Sequence, residues 1–226
     1  MPYPFYAMLS RMKYINRWGL MRNTHSENIQ EHSQQVAVIA HALALIRNRY
    51  FDGCVDANKA AVMALFHDCD EILTGDLPTP VKYFNEGILN AYRNVEDAAS
   101  EKLLQMLPDE LRPDYRMLIG GGAGAGNDES RGETPDAGEN GPRWPGAEAR
   151  PCEGDNDANL WKLVKAADTI CAHIKCLEET AGGNSEFTTA ARSTRAKLDA
   201  IGLPEVDKFI ELFLESFKLP LDDYGI

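Results

Sequence analysis

Apolar residues recur along most of this chain at the three- and four-residue spacing of a helix. Between Asn28 and Tyr50 they fall at Ile29, Val36, Ile39, Ala40, Leu43 and Ile46, one stripe of a 3.6-residue period. Between Leu160 and Leu177 they fall at Leu160, Leu163, Val164, Ala167, Cys171 and Ile174. Residues 61 to 73 read as a third, largely buried helix through Val62, Met63, Leu65, Phe66 and Ile72. Periodic runs also cover Phe5 to Ile15, Ile88 to Leu107, Phe187 to Ile201 and Pro204 to Phe217, the last with Val206, Phe209, Ile210, Phe213 and Phe217 inward. No segment alternates with the period of a strand. Asn28 with Glu31 reads as a capping box, Asp56 as the cap of the helix carrying residue 67, and Gly182-Gly183 as a stop. The pattern predicts an all-α helical bundle, one domain over 1–226, with any site among its central helices.

The pattern breaks once. Residues 120–158 hold ten of the 18 glycines and four of the 12 prolines, with Trp144 as their one aromatic residue. Such a stretch cannot bury enough apolar surface to offset the entropy of ordering, so a disordered insertion is expected there. A lid or a tether is the functional reading of it; a tolerated surface insertion is the simpler one.

Polar residues interrupt the buried stripes at a few places. His32 follows Ile29 by three and precedes Val36 by four, so it faces inward. Asp168 lies four after Val164 and three before Cys171, again on the inner face. His67 and Asp68 are adjacent within an apolar run. Each costs free energy when buried unless it is paired. Taken singly, a core histidine on a carbonyl and a carboxylate on Lys165 account for two of them. Taken together, three helices each bring a metal-ligand type to the face they bury, and a divalent cation is one economical partner for all. His25, His41 and His173 read as non-ligands.

The order His32, His67-Asp68, Asp168 is the H…HD…D signature of HD-domain metal-dependent phosphohydrolases. Ile15-Asn16-Arg17-Trp18, Glu31-His32-Ser33, His67-Asp68-Cys69-Asp70-Glu71, the run from Leu73 to Phe84, and Lys175-Cys176-Leu177-Glu178-Glu179 extend the likeness. Within that superfamily the chain resembles the bacterial 5'-deoxynucleotidases, from about Phe5 to the last helix, departing at the insertion. The resemblance implies an HD-domain bundle in which His32, His67, Asp68 and Asp168 hold a metal. It implies Glu71 as catalytic acid/base and Arg17 as a catalytic residue on the phosphate. It places Arg17, Trp18, His32, Asp68, Asp76, Leu77, Pro78, Thr79 and Asp168 around a deoxynucleoside 5'-monophosphate. It also implies a homodimer.

Two imidazoles and two carboxylates suit a transition metal such as Co, Mn or Zn better than Mg or Ca. Glu71 lies four after His67 and three after Asp68, in reach of the site without being needed as a ligand; its plainer role is a pair with Lys82 or Arg17. Asp70 points elsewhere and reads as a solvated charge, and Cys69 as a small core residue. The alternatives are another HD phosphohydrolase acting on a nucleoside triphosphate, a cyclic nucleotide or guanosine tetraphosphate, an oxygen-activating di-iron enzyme, or a silent binding module. A triphosphate enzyme needs more cations than Arg17, Arg22 and Lys82.

Composition narrows the partners. The net charge is −12, and residues 120–158 carry nine carboxylates against three arginines, so half of it sits in the insertion. No basic stripe remains to bind polymeric nucleic acid. No run approaches ~20 apolar residues, so no membrane span is expected, and no secretory leader is read at the start. The five cysteines form no Cys-x-x-Cys pair, and free thiols in a reduced, cytoplasmic setting are expected.

Overall fold

The computed structural model describes residues 2–119 and 157–225. Among these the regular elements are helices, and the one sheet-like feature is an isolated antiparallel bridge between Asn16 and Asn28. The insertion expected at 120–158, with Trp144 and Cys152, lies outside the described residues except for its last two positions, which begin a helix.

Three helices make the frame: α2 (Ile29–Tyr50), α3 (Ala57–Phe66) and α8 (Asp157–Ala181). α2 packs on α3, α8 and α10 (Pro204–Phe213), and α8 packs on α9 (Thr188–Asp199). Val36, Ala40 and Leu43 of α2 meet Met63 of α3, Leu163, Val164 and Ile170 of α8, and Val206 and Phe209 of α10 in the main core. A second cluster joins Phe5 of α1 (Phe5–Leu9), Ile29, Cys69, Leu103 and Leu104 of α6 (Glu86–Leu104), Leu107 and Ile119. Residues 67–70 run between the two clusters, since Met63 and Ala64 are rooted in the first and Cys69 in the second.

The caps fall where the sequence puts them. The Asn28 side chain accepts the Gln30 and Glu31 amides while the Glu31 carboxylate accepts the Asn28 amide. Asp56 accepts the Lys59 amide. Gly183, at φ 88°, ends α8 in the left-handed region.

Three helical expectations need correction. Residues 61 to 73 are not one helix. α3 stops at Phe66, a tight turn carries His67 to Asp70, and α4 (Glu71–Thr74) begins anew. The His67 Nδ1–H donates to the Ala64 carbonyl at 2.7 Å, and the Cys69 amide reaches back three residues to Phe66 at 3.2 Å. The imidazole and the tightened backbone thus take over the last carbonyls of α3. Val62 and Leu65 are exposed, because α3 gives its Ala60, Met63 and Ala64 edge to the core. The helix expected from Phe5 to Ile15 ends at Leu9 and resumes as a 3-10 turn over Met12–Tyr14; the Ser10 hydroxyl takes the Ala7 carbonyl at 2.9 Å. Phe213, expected inward, is exposed at the end of α10, with its ring against Phe209. Residue 214 onward is a 3-10 turn, so the helical stripe loses its phase.

A buried ion pair ties the loop before α2 to α8. Lys175 Nζ donates to Glu179 Oε1 at 2.6 Å, and both side chains are buried. Glu179 also accepts the Thr24 amide and hydroxyl, the His25 amide and the Asn184 amide group. Breaking one member of such a pair leaves an uncompensated charge and several orphaned donors, at about 3–5 kcal/mol. Glu179→Ala is therefore expected to lower the unfolding free energy by about that much, read from denaturant titration. A loss under about 1 kcal/mol, the scale of an exposed pair, refutes it.

Candidate metal centre

His32 stands at the middle of the site with 0% exposure. Its Nε2 lies 3.0 Å from Asp168 Oδ1 and 3.6 Å from Asp68 Oδ2. Its Nδ1 lies 2.6 Å from Arg17 Nη1. A guanidinium only donates, so Nδ1 accepts in this pairing, and Nε2 faces Asp168. α2 supplies the imidazole and α8 the carboxylate, from inner faces that the core packing turns toward each other.

His67 and Asp68 come from the turn after α3. His67 Nδ1 is committed to the Ala64 carbonyl, which leaves Nε2 to face the cluster. Nε2 is buried and has no aligned hydrogen-bond partner, although Asp68 Oδ2 lies 3.0 Å away. Burial opposes a charge on this ring, yet the adjacent Asp68 and nearby Asp168 push its pKa up to about 9. Asp68 and Asp168 are held below the usual carboxylate range: burial works against them, but His67 wins for Asp68 and the His32 hydrogen bond for Asp168.

Three of these side chains offer donors close enough to share a cation. Ligand atoms about 2.0–2.2 Å from a shared ion stand about 3.0–3.4 Å apart. His32, His67 and Asp68 offer donors within 4.8 Å of one another, and Asp168 Oδ1 joins at 3.0 Å from His32 Nε2. His32, His67 and Asp68 thus come together, and Asp168 stands beside His32. Asp168, 40% exposed, is the most open of them, so solvent reaches the cluster past it.

Arg17 and Trp18 line one wall. Arg17 Nη2 lies 3.9 Å from Asp168 Oδ1, and Nη1 lies 3.4 Å from Glu27 Oε1. Trp18 Nε1 donates to Glu27 Oε2 at 3.0 Å, and its ring leans on Phe187 with centroids 5.4 Å apart. Trp18 takes φ 58°, in the left-handed region that a bulky residue occupies only under constraint.

The other wall is acidic. Glu71 opens α4, and its Oε2 is buried without a partner. Burial, then Asp68 and Asp76, push its pKa up to about 10, so it is a neutral acid near pH 7. The plain pairing of Glu71 with Lys82 does not occur, since Lys82 Nζ bonds Glu96 at 2.7 Å. Asp70 is not a solvated charge. It is half-buried, and burial, Asp68 and Glu96 push it up to about 7. Asp76 is raised by burial, with Arg17 and Asp68 in electrostatic reach. Leu77 and Pro78 are half-buried and Thr79 is exposed, where the chain enters α5 (Thr79–Lys82). The Tyr92 hydroxyl of α6 braces this segment through the Gly75 carbonyl at 3.2 Å.

Nothing in the sequence singles out Glu27, which lies in the loop before α2. Lys165 was weighed only as a pair for Asp168. Burial and the neighbouring cations Arg93 and Lys82 lower its pKa, with Asp168 opposing. His173 is buried, not on the outer part of its helix, and bonds Thr194 at 2.8 Å. It lies apart from the cluster, as do His25 and His41. Cys69, Cys171 and Cys176 are buried free thiols; Cys54 is disulfide-bonded, which corrects the free-thiol expectation at that position.

The arrangement of these helices is that of HD-domain phosphohydrolases. A solved HD-domain phosphohydrolase from Listeria innocua superposes with a TM-score of 0.70 at 18% identity, over 98% of this chain and 91% of that one. A cyanophage S-2L HD phosphohydrolase, DatZ, bound to dA and one catalytic zinc ion, gives 0.51 at 18% identity over 94% of this chain and 95% of that one. The family model "5'-deoxynucleotidase YfbR-like" matches residues 4–132 and 150–217. 5'-Deoxynucleotidase YfbR of Escherichia coli strain K12 is 45% identical over 219 residues, 97% of this chain and 94% of the relative. The chain belongs to the YfbR-like 5'-deoxynucleotidase family. The family match breaks at 133–149, inside the stretch expected to be an insertion.

Cys69 touches the motif but is fully buried, and burial followed by Asp70 and Asp68 raises its thiol well above the usual range. A thiol that stays protonated is a poor nucleophile. Iodoacetamide at pH 8 is expected to leave Cys69 unmodified in the native protein and to label it after denaturation, as read by peptide mass spectrometry. Rapid native labelling refutes the core assignment.

Proposed function

We propose that this chain is a metal-dependent 5'-deoxynucleotidase, releasing phosphate from deoxynucleoside 5'-monophosphates. The observation that carries the reading is the meeting of His32, His67 and Asp68, with Asp168 3.0 Å from His32, in a YfbR-like chain. In this reading residues 1–226 act as one HD domain, with 120–158 as an insertion. A cytoplasmic homodimer belongs to the same reading and rests on the family resemblance.

The four side chains hold a transition metal such as Co, Mn or Zn, their mixed nitrogen and oxygen set being poorly suited to Mg or Ca. A bound cation polarises the phosphoryl oxygens and lowers the pKa of water beside them. Arg17 sits at the lip of the cluster with both Nη atoms turned toward it, and its fork matches phosphate oxygens. Trp18 covers the nucleoside, while Asp76, Leu77, Pro78 and Thr79 close on the sugar. Glu71, with a free oxygen in a buried wall, serves as the acid/base, protonating the departing 5' oxygen and recovering the proton from water.

All three cations near the motifs are paired, Lys82 with Glu96, Arg22 with Glu186, and Arg17 with Glu27 and Asp168; none of the three is spare for the added charge of a triphosphate, which favours a monophosphate.

A panel of deoxy- and ribonucleoside monophosphates, assayed for phosphate release with Co, Mn, Zn and Mg, tests the reading. Release from the deoxy forms with a transition metal, loss of it with chelator, and little release from the ribo forms are expected. Equal turnover of both sugars, or turnover untouched by chelation, overturns it. In the same assay Glu71→Ala should keep its metal content and lose about 10²–10⁴ in kcat. Normal turnover by that variant removes Glu71 from the chemistry.

A further inference from the structure

We infer that Glu27 is a positioning residue that sets the metal ligand His32 and the substrate wall Arg17-Trp18 from one carboxylate. The inference deepens the proposed function and rests on it for the roles of those three residues. Glu27 comes from the loop before α2, and its side chain is only 10% exposed. Oε2 accepts Trp18 Nε1 at 3.0 Å. Oε1 lies 3.4 Å from Arg17 Nη1 and 3.5 Å from His32 Nδ1. Its backbone carbonyl accepts the Arg17 amide at 2.9 Å. One residue therefore meets the guanidinium, the indole, the imidazole and the main chain that carries the first two.

The need for such a carboxylate follows from hydrogen-bond chemistry. An imidazole that offers Nε2 to a cation carries its proton on Nδ1 and needs an acceptor there. Arg17, now 2.6 Å from Nδ1, has donors only and cannot fill that role. Glu27 Oε1 stands beside Nδ1 and can. The same oxygen lies by the guanidinium, so Glu27 holds Arg17 while serving His32. Trp18 adds a second reason. A tryptophan in the left-handed region persists only where its surroundings fix it. Here the fixings are Glu27 on Nε1, Phe187 on the ring, and the Met21 amide and Asn23 side chain on its carbonyl.

A purely structural Glu27 and a positioning Glu27 give different measurements. Glu27→Gln keeps the volume and an acceptor for Trp18 but removes the charge that faces His32 and Arg17. Co²⁺ titration followed by visible absorption, without substrate, is expected to show affinity reduced about 10–100-fold. The KM for a deoxynucleoside monophosphate should rise with it, while the melting temperature of the metal-free protein stays within a few degrees. Glu27→Asp keeps the charge at shorter reach and should recover part of the Co²⁺ affinity. In an Arg17→Ala background, Glu27→Gln should still weaken Co²⁺ binding but raise KM little further, because the partner it acts through is gone. Wild-type Co²⁺ affinity and KM in Glu27→Gln overturn the inference. So does a drop in melting temperature and Co²⁺ affinity that is the same for Gln and Asp, since that marks packing and not charge. Because Co²⁺ binding is read without substrate, a chain whose Co²⁺ affinity depends on the Glu27 charge yet which hydrolyses no deoxynucleotide sinks the proposed function and leaves this inference standing.

Discussion

A buried imidazole with two ring nitrogens needs two partners, and the packing around His32 answers that need. α2 holds the ring at zero exposure in the core. α8 brings Asp168 to Nε2, the turn after α3 brings Asp68, and the loop before α2 brings Arg17 and Glu27 to Nδ1. Removing any of these elements leaves a polar atom in the interior without a mate. α8 has a double duty. Asp168, Lys175 and Glu179 lie at intervals of seven and four residues, which keeps them near one face. The face that presents Asp168 to the cluster also carries the ion pair that fastens the loop bearing Arg17, Trp18 and Glu27. The helix register fixes the metal side and the substrate side together.

Much of this was legible in the sequence because it depends on local rules. The capping box at Asn28, the cap at Asp56 and the stop at Gly183 depend on residues within a few positions of one another. The stripes of α2 and α8 place His32 and Asp168 inward by spacing alone. What failed depends on competition. Nothing in the 61–73 pattern shows that the His67 ring will claim the Ala64 carbonyl and end α3 at Phe66. The exposure of Val62 and Leu65 follows from which edge of α3 meets α2, a tertiary choice that a run of apolar residues does not encode. Glu27 was invisible for the same reason. Its partners are ten and nine residues upstream and five downstream, and the loop that folds them together has no period to read.

The carboxylates explain why the cluster reads as a cation site and not as a structural polar knot. Burial pushes Asp70 to about 7 and Glu71 to about 10, with repulsion from Asp68 added at both and from Asp76 at Glu71. Polar networks kept for stability satisfy their members. This one leaves His67 Nε2, Glu71 Oε2 and Arg17 Nε without partners. Perturbed carboxyls of this kind gather at functional sites, and a bound cation reverses the local repulsion that raises them. A cation placed beside Asp68 would offset the repulsion that adds to burial in raising Asp70, Glu71 and Asp76.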